Sequence, residues 1–198
     1  AMDVAGYNNI IMRFCENEMM EEVEKLFEEL WMKSLAPDVT TYRTLIDAYF
    51  KAERVDDALE MYTKMAEAGL RVIPVYANRW FSELIANGKV VESAQILTKM
   101  GERDPKPDAM SYDIVIRGLC EEGNLDMTLD VLGQMVSYSV GVTPTLREFV
   151  SEAFKKEGRE EDIEKILVTR GPGYAAPRPP SGRPQLEGPP QMAGQLAA

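Results

Sequence analysis

The chain has 198 residues, of which 45% are hydrophobic and 28% are charged, with no histidine, two cysteines and a formal net charge of −11. The absence of histidine excludes Ser-His-Asp and Cys-His nucleophiles and most zinc sites, and no apolar run approaches the roughly 20 residues of a membrane-spanning helix. We therefore expect a non-enzymatic protein with no metal, no cofactor and no membrane association, and the two cysteines favour a reducing compartment.

A 35-residue repeat runs through most of the chain. Ala1 and Met2 are interpreted as a cleavage scar and residues 1–3 as a linker. A five-residue pattern then recurs at 7–11, 42–46 and 112–116: an aromatic residue, a polar residue, a residue of any type and two aliphatic residues. The period gives units 4–38, 39–73, 74–108 and 109–143, with a shortened fifth unit at 144–168. Such a period predicts a solenoid, in which neighbouring units bury each other's apolar faces.

Each unit is predicted to be a helical hairpin. Apolar residues at helical spacing, such as Leu45, Ile46 and Tyr49, mark a first helix, and a second amphipathic run follows a break such as Asn87-Gly88. Proline ends units one and three because it cannot continue a helix, and the aspartate after it can accept backbone N–H bonds at the next helix start. The predicted fold class is all-α.

The end of the chain is predicted to differ from the four full units. In the fifth unit, polar residues stand where earlier units have apolar ones, which is typical of a repeat that caps a solenoid. These residues are Arg147, Ser151, Lys155, Glu160 and Glu164. Residues 169–198 are rich in proline and glycine, so we expect a disordered tail, and we favour a solvated tail over a P-x-x-P ligand at 177–180.

The stretch VTTYRTLIDAYFKAERVDDALEM at residues 39–61 carries a family resemblance. It resembles the pentatricopeptide repeat, whose consensus runs VTYNTLIDGLCKAGRLDEALEL, and the in-register units extend the resemblance over residues 4–168. The uninterrupted units are similar to those of the P class of plant organelle proteins. The resemblance implies a right-handed α-solenoid, no catalytic residues, and a role in RNA editing, maturation or translation in the mitochondrion or the chloroplast.

The resemblance also implies candidate base-reading residues. Helical repeats of this family read one base of single-stranded RNA each, chiefly through the fifth and the last residue of a unit, and asparagine with aspartate favours uracil. Asn8 with Asp38 and Asn78 with Asp108 match this pair in units one and three. An amide offers a donor and an acceptor to a pyrimidine, and a carboxylate can fix its orientation. Alternatively, both asparagines only follow the helix-start consensus and read nothing.

Units two and four depart from this pattern. Their corresponding pairs are Arg43 with Ile73 and Asp113 with Thr143, which we do not translate into a base. Glu148 holds the equivalent position of the fifth unit, where a carboxylate would repel phosphates. Arg43 can instead form a forked contact with a carboxylate of a partner or with a phosphate, so Arg43 and Asp113 are candidate contact residues of the groove.

Charge favours a protein partner over RNA. In this family a lysine at position thirteen often contacts phosphates, and here only Lys51 and Lys156 provide it. Unit one has a net charge of −5, unit four has −4, and no unit is net positive. We therefore favour a protein-binding adaptor that docks on an organelle RNA-processing or ribosomal protein, with aromatic residues such as Trp80 in the contact. The alternative is an autonomous reader of single-stranded RNA.

The first unit is expected to promote self-association. Its second helix is rich in apolar residues that an upstream repeat would cover. These residues are Met19, Met20, Val23, Leu26, Phe27, Leu30 and Trp31. The two cysteines, Cys15 and Cys120, occupy equivalent positions three units apart, so we expect core packing and no mutual disulfide.

Overall fold

The first and second helices of the units form two layers in a computed structural model, which describes residues 2–102 and 105–168. The first helices are α1 (Val4–Glu16), α3 (Val39–Lys51), α5 (Pro74–Ala86), α7 (Ala109–Glu121) and α9 (Pro144–Lys156). The second helices are α2 (Met20–Met32), α4 (Val55–Glu67), α6 (Val90–Gly101), α8 (Leu125–Ser137) and α10 (Glu160–Val168). The described residues contain no strand, so the fold is an all-α solenoid of helical hairpins.

Contacts within and between hairpins hold the two layers together. Within hairpins, α1 packs on α2, α3 on α4 and α7 on α8. Between hairpins, α1 packs on α3, α5 on α7 and α7 on α9, while α6 packs on α8 and α8 on α10. We refer to α1, α3, α5, α7 and α9 as the first-helix layer and to the other five helices as the second-helix layer.

The core lies between the layers and repeats with the sequence period. The fourth residue of units one, two and four is a buried tyrosine, at Tyr7, Tyr42 and Tyr112. Unit three has the small Ala77 there, and Trp80, which follows on the same helix, is also buried, with its ring edge-on to Tyr62 at 6.0 Å between centroids. Burying side chains of this size supplies most of the favourable free energy of folding.

Several residues that the sequence analysis predicted to contact a partner are buried in this core. Trp80 is only 3% exposed, so the expectation that it contacts a partner is wrong. In the second helix of unit one, Val23, Phe27 and Leu30 are buried, because they pack within the solenoid rather than toward an upstream repeat. Met19 and Trp31 remain strongly exposed. The predicted self-association can therefore involve only part of the apolar set, and it stays a prediction.

Both cysteines are free and half-buried. Burial, reinforced by the nearby Glu16 carboxylate, raises the pKa of the Cys15 thiol to about 11. Burial also raises the pKa of Cys120, whose sulfur lies 3.8 Å from Thr128 Oγ1. Since the thiolate is the reactive form, both side chains are poor nucleophiles at neutral pH.

Two further structural features bear on the expectations for membranes, metals and the tail. Among residues 2–102 and 105–168, no helix is both long enough and apolar enough to cross a membrane. The same residues contain no cluster of three or more acidic or cysteine side chains that could hold a metal ion. The predicted disorder of residues 169–198 and the P-x-x-P stretch lie outside the described residues.

The turn inside each hairpin uses one left-handed residue, always at position fifteen of the unit. Glycine takes this conformation in units three to five, with φ of 75° at Gly123 for example, whereas Glu18 and Glu53 take it in units one and two, with φ of 59° and 58°. A side chain at positive φ is strained, so the first two turns carry a cost that the others avoid.

We expect Gly123→Ala to lower the free energy of unfolding by about 1 kcal/mol, because alanine must adopt the left-handed conformation. A Cβ at Gly123 would meet nothing within 4 Å, so the cost is purely one of backbone conformation. Chemical denaturation of the variant measures it. The matched control is Glu53→Ala, which already has a side chain at positive φ and should change stability by less than half as much; an equal loss in both variants would contradict the explanation.

Candidate nucleic-acid interface

The pair Asn8–Asp38 sits where unit one meets unit two. Asp38 is the N-cap of α3, and its Oδ1 accepts a hydrogen bond from the backbone N–H of Thr41 at 2.9 Å. The same oxygen accepts from Asn8 Nδ2 at 3.0 Å, and Thr41 Oγ1 donates to Asn8 Oδ1 at 2.6 Å. The capping box that starts α3 therefore also fixes which way the Asn8 amide points.

Unit three repeats the same arrangement two units further along. Asn78 Nδ2 donates to Asp108 Oδ1 at 3.2 Å, and Ser111 Oγ donates to Asn78 Oδ1 at 2.6 Å. Asp108 caps α7 by accepting from the backbone N–H of Ser111 at 2.8 Å. The structure thus brings together both predicted asparagine–aspartate pairs. Each network also contains a hydroxyl residue, Thr41 or Ser111, that the sequence analysis missed. The position of this residue, three after the aspartate, is a capping-box pattern.

These networks keep the two aspartates ionised. Burial raises the pKa of each carboxyl, but the hydrogen bonds that Asp38 accepts from Thr41 and Asn8 outweigh burial and leave its pKa lowered. The pKa of Asp108 is lowered for the same reasons, by Ser111 and Asn78. A lowered pKa adds stability that is fully present above the unfolded-state pKa and is lost as the pH falls through the folded-state pKa. The carboxylates therefore hold the amides across the neutral range.

A fixed amide can distinguish two pyrimidines. Each asparagine retains a second N–H and a second lone pair on Oδ1 for a base edge. Uracil presents a carbonyl acceptor beside an N–H donor, whereas cytosine presents an amino donor beside a nitrogen acceptor, in the opposite order. An amide that rotates freely fits both edges, but an amide held by an aspartate and a hydroxyl fits only one in a given base pose. The network therefore supplies orientation as well as contact.

Two exposed apolar residues lie close in sequence to the Asn78–Asp108 pair, one on α5 and one on α7. Val75 and Met110, the second residues of α5 and α7, are 64% and 58% exposed. Exposed apolar side chains of this kind can pack against the two faces of a base. The equivalent residues beside Asn8 are Ala5 and Thr40, which offer less surface. The sequence analysis missed Val75 and Met110, and the only available signal was an apolar residue directly after a helix start.

The candidate residues of units two and four do not form such pairs. Arg43 stacks on Tyr76 of the next unit, with its guanidinium carbon 4.2 Å from the ring centroid. Asp113 accepts a hydrogen bond from Arg117 Nε at 2.8 Å, while Thr143 caps α9 through Leu146 N–H. Within the described residues, neither predicted pair forms a hydrogen bond between its two members. Position five is a cation stacked on a tyrosine in unit two and a carboxylate paired with an arginine in unit four.

Lys51 and Lys156 lie at the far end of the first helices. Position thirteen is eight residues beyond position five, which corresponds to roughly 12 Å along the helix axis. Lys51 is exposed and lies 3.5 Å from Glu18 in an ion pair between solvated groups, while Lys156 is the last residue of α9. An exposed pair of this kind is weak, so Lys51 can exchange Glu18 for a phosphate.

The acidic charge is confined largely to one layer. The first-helix layer carries eight Lys or Arg residues and seven Asp or Glu residues, whereas the second-helix layer carries four and sixteen. Within the described residues, five cations of the first-helix layer have no acidic partner. They are Arg13, Arg43, Arg147, Lys155 and Lys156. The preference for an adaptor rested on the net charge of whole units. That charge is much more negative than the charge of the first-helix layer, which carries the asparagines.

The described part of the chain consists of helical hairpins that repeat every 35 residues and stack in two layers. This arrangement defines the class of α-solenoid repeat proteins. A family model described as the PPR repeat family matches residues 2–48, and one described as PPR repeat matches residues 33–66 and 103–136. The chain belongs to the pentatricopeptide repeat family.

Curated relatives cover the chain but are much longer. A pentatricopeptide repeat-containing protein of Arabidopsis thaliana is 50% identical over 184 residues, which is 90% of this chain and 20% of the relative. The mitochondrial 15S rRNA processing factor of Yarrowia lipolytica is 24% identical over 157 residues, 76% of this chain and 20% of that protein. The chain thus spans about a fifth of the length of these relatives.

Solved structures share the fold. The pentatricopeptide repeat protein PPR10 from maize matches with a TM-score of 0.56 and 18% identity, over 83% of this chain and 24% of that one. The PPR domain of the protein-only RNase P 1 from Arabidopsis thaliana, solved in complex with tRNA, matches with a TM-score of 0.56 and 14% identity, over 81% and 85% of the two chains. At these identities the similarity shows the fold alone.

Proposed function

We propose that the first-helix layer binds single-stranded RNA and that units one and three each read a uracil, within a non-catalytic part of an organelle RNA-processing factor. The observation that carries this proposal is the pair of matching networks at Asn8 and Asn78, in which the same atoms make the same contacts two units apart. Helix capping alone explains the aspartates and hydroxyls. It does not require the asparagine amides that they orient.

Three further observations support the RNA assignment. The acidic residues lie mainly in the other layer, which removes much of the repulsion that whole-unit charges imply. A relative is named as an rRNA processing factor, and a structural neighbour was solved with tRNA. Relatives are also named as mitochondrial or chloroplastic, which supports an organelle as the location. The proposed P-class assignment rests on the uninterrupted units.

The uracil assignment predicts a defined base preference. We expect an RNA with two uracils separated by one nucleotide to bind about tenfold tighter than the same RNA with two cytosines, a difference of about 1.4 kcal/mol. Asn8→Ala together with Asn78→Ala should remove this preference, because no amide is left to distinguish the two base edges. Fluorescence anisotropy with labelled oligonucleotides measures both affinities. Binding should be weak with a shallow salt dependence, because the eight cations of the first-helix layer are offset by seven carboxylates of the same layer.

The matched control uses two asparagines at the other end of the same helices. Asn17 and Asn87 are the C-cap residues of α1 and α5, where their side chains donate to backbone carbonyls at 2.7 and 2.8 Å. Asn17→Ala together with Asn87→Ala should leave the preference intact. The proposal is overturned if the uracil preference is absent from the unaltered protein or survives loss of Asn8 and Asn78.

A second candidate function is a protein-binding adaptor, as the sequence analysis favoured. The specific observation for it is the excess of sixteen acidic over four basic residues in the second-helix layer. This surface repels RNA and attracts a basic protein surface, which speeds encounter with such a partner. The two functions use different layers and do not compete for residues.

A further inference from the structure

A cavity separates the second helices of the first two units. It has a volume of about 580 Å³ and is lined by residues of α2 and α4, with Tyr42 and Tyr49 of α3 also contributing. In units three to five the corresponding helices pack directly, α6 on α8 and α8 on α10. A second cavity of about 630 Å³ lies between α4 and α6, but the described residues that line it include no aromatic residue other than Tyr62. The opening between α2 and α4 differs from that cavity by its aromatic and more acidic lining. We call it the α2/α4 cleft.

Aromatic side chains form one wall of the α2/α4 cleft. Trp31 is 53% exposed, and its ring meets Phe27 edge-on at 6.3 Å between centroids. Phe27 in turn meets Tyr42 at 5.7 Å. The Trp31 indole thus packs on Phe27, which packs on Tyr42, while much of the indole surface stays exposed to solvent. A rigid aromatic surface of this kind binds a partner at a low cost in conformational entropy.

One end of the cleft shows how it holds a guanidinium. Arg54, at the start of α4, lies over the ring of Tyr49, with its guanidinium carbon 4.9 Å from the centroid. Its Nη2 lies 2.8 Å from Glu24 Oε1, and its Nε lies 2.7 Å from Asp57 Oδ2. Tyr49, Glu24 and Asp57 all line the cleft. An aromatic face and two carboxylates therefore bind one arginine from two sides.

The other end has the same kinds of residues, but no arginine is among the described residues that line it. Trp31 supplies the aromatic face, and the exposed Glu28 and Glu67 supply the carboxylates. Lys64 is nearby but pairs with Glu60 at 2.7 Å. Within the described ranges, neither Glu28 nor Glu67 has a cationic partner. This end of the cleft thus has an aromatic face and two carboxylates, as the Arg54 site does, but no described arginine is bound to them.

We propose that the α2/α4 cleft binds an arginine-bearing segment of a protein partner, with a guanidinium stacked on Trp31 and paired with Glu28 and Glu67. Arginine suits this end better than lysine, because its planar group stacks on an aromatic face and bridges two carboxylates at once. RNA does not fit, since the cleft carries several carboxylates and its phosphates would be repelled. The inference deepens the adaptor function and is independent of base reading.

The intrinsic fluorescence of the full chain provides a direct test. The chain has two tryptophans, and Trp80 is buried, so an added peptide can reach only Trp31. The probe is a short peptide with arginine at every third residue, compared with versions that carry lysine or glutamate instead. We expect the arginine peptide to shift Trp31 emission and to bind several-fold tighter than the lysine peptide, with no binding of the glutamate peptide.

Charge-neutral variants then locate the binding. Glu28→Gln together with Glu67→Gln should weaken binding of the arginine peptide by about tenfold. Both side chains are exposed, so the variant should fold normally. The matched control, Glu122→Gln together with Asp130→Asn, removes the same charge from exposed positions of unit four and should change affinity less than twofold. Equal weakening in both variants would show general charge attraction and overturn the assignment to the cleft.

Two more outcomes distinguish the partner from other occupants. Residues 169–198 contain three arginines, at 170, 178 and 183. If replacing all three by glutamine strengthens peptide binding several-fold, the chain's own arginines fill the cleft, and the assignment to a partner is wrong. RNA affinity should be the same in the Glu28/Glu67 variant and the unaltered protein. A strong gain in RNA affinity would show that RNA reaches this cleft and would also overturn the inference.

Discussion

Phe154→Ala should detach the capping hairpin while leaving the first three units folded. Phe154 is fully buried in α9, where it packs in the core shared with α7 and α10. Removing a buried phenylalanine ring costs about 3–5 kcal/mol. In a solenoid each unit contacts only its neighbours, so the loss is concentrated in the units that Phe154 joins. Hydrogen exchange followed residue by residue should show lost protection in α9 and α10 and retained protection in α1 to α6.

The control for this prediction is an exposed apolar residue of the same hairpin. Val168, at the end of α10, is 74% exposed, so Val168→Ala should change stability by less than about 0.5 kcal/mol. If Phe154→Ala instead removes protection from all units together, the chain unfolds as a single cooperative unit. The description of the fifth unit as a separable cap would then be wrong.

The fold could be predicted because its determinants are local and periodic. A first helix begins after each Pro-Asp pair, and the apolar residues repeat with the hairpin, so one unit's pattern is confirmed by the next. Unit three lacks the buried tyrosine that other units have at position four. The small Ala77 there leaves space in the core, and the large side chain of Trp80 fills the core nearby. The sequence could not show that compensation, and for that reason Trp80 was misassigned to a partner surface.

The candidate site was only partly predictable. The asparagine–aspartate pairs follow from the repeat spacing, but the hydroxyls of Thr41 and Ser111 act through contacts 33 residues away in sequence. The division of charge between layers is equally hidden, because the charge of a unit sums both of its helices. The α2/α4 cleft depends on how far apart two helices lie, which no local pattern specifies. In each case the missing information is a distance between units.

Asp47 joins units two and three and gives the second prediction of large effect. Its Oδ1 accepts a hydrogen bond from Trp80 Nε1 at 2.7 Å, and its Oδ2 accepts from Arg79 Nη2 at 2.5 Å. Asp47→Ala should lower the free energy of unfolding by about 2–3 kcal/mol, because the buried indole N–H loses its acceptor along with a charge-assisted hydrogen bond. Asp47→Asn keeps a carbonyl oxygen for Trp80 and should cost less than half as much in thermal or chemical denaturation.

The same substitution should have the opposite effect on RNA binding. Asp47 holds Arg79, a cation of the first-helix layer, and Asp47→Asn removes the carboxylate that neutralises it. The freed guanidinium adds one phosphate contact, so we expect tighter binding of single-stranded RNA and a salt dependence steeper by about one. The control Glu83→Gln removes an exposed carboxylate from α5 without releasing Arg79. A salt dependence that is equal in the two variants would mean that Arg79 does not contact the RNA backbone, and that phosphates bind elsewhere on this layer.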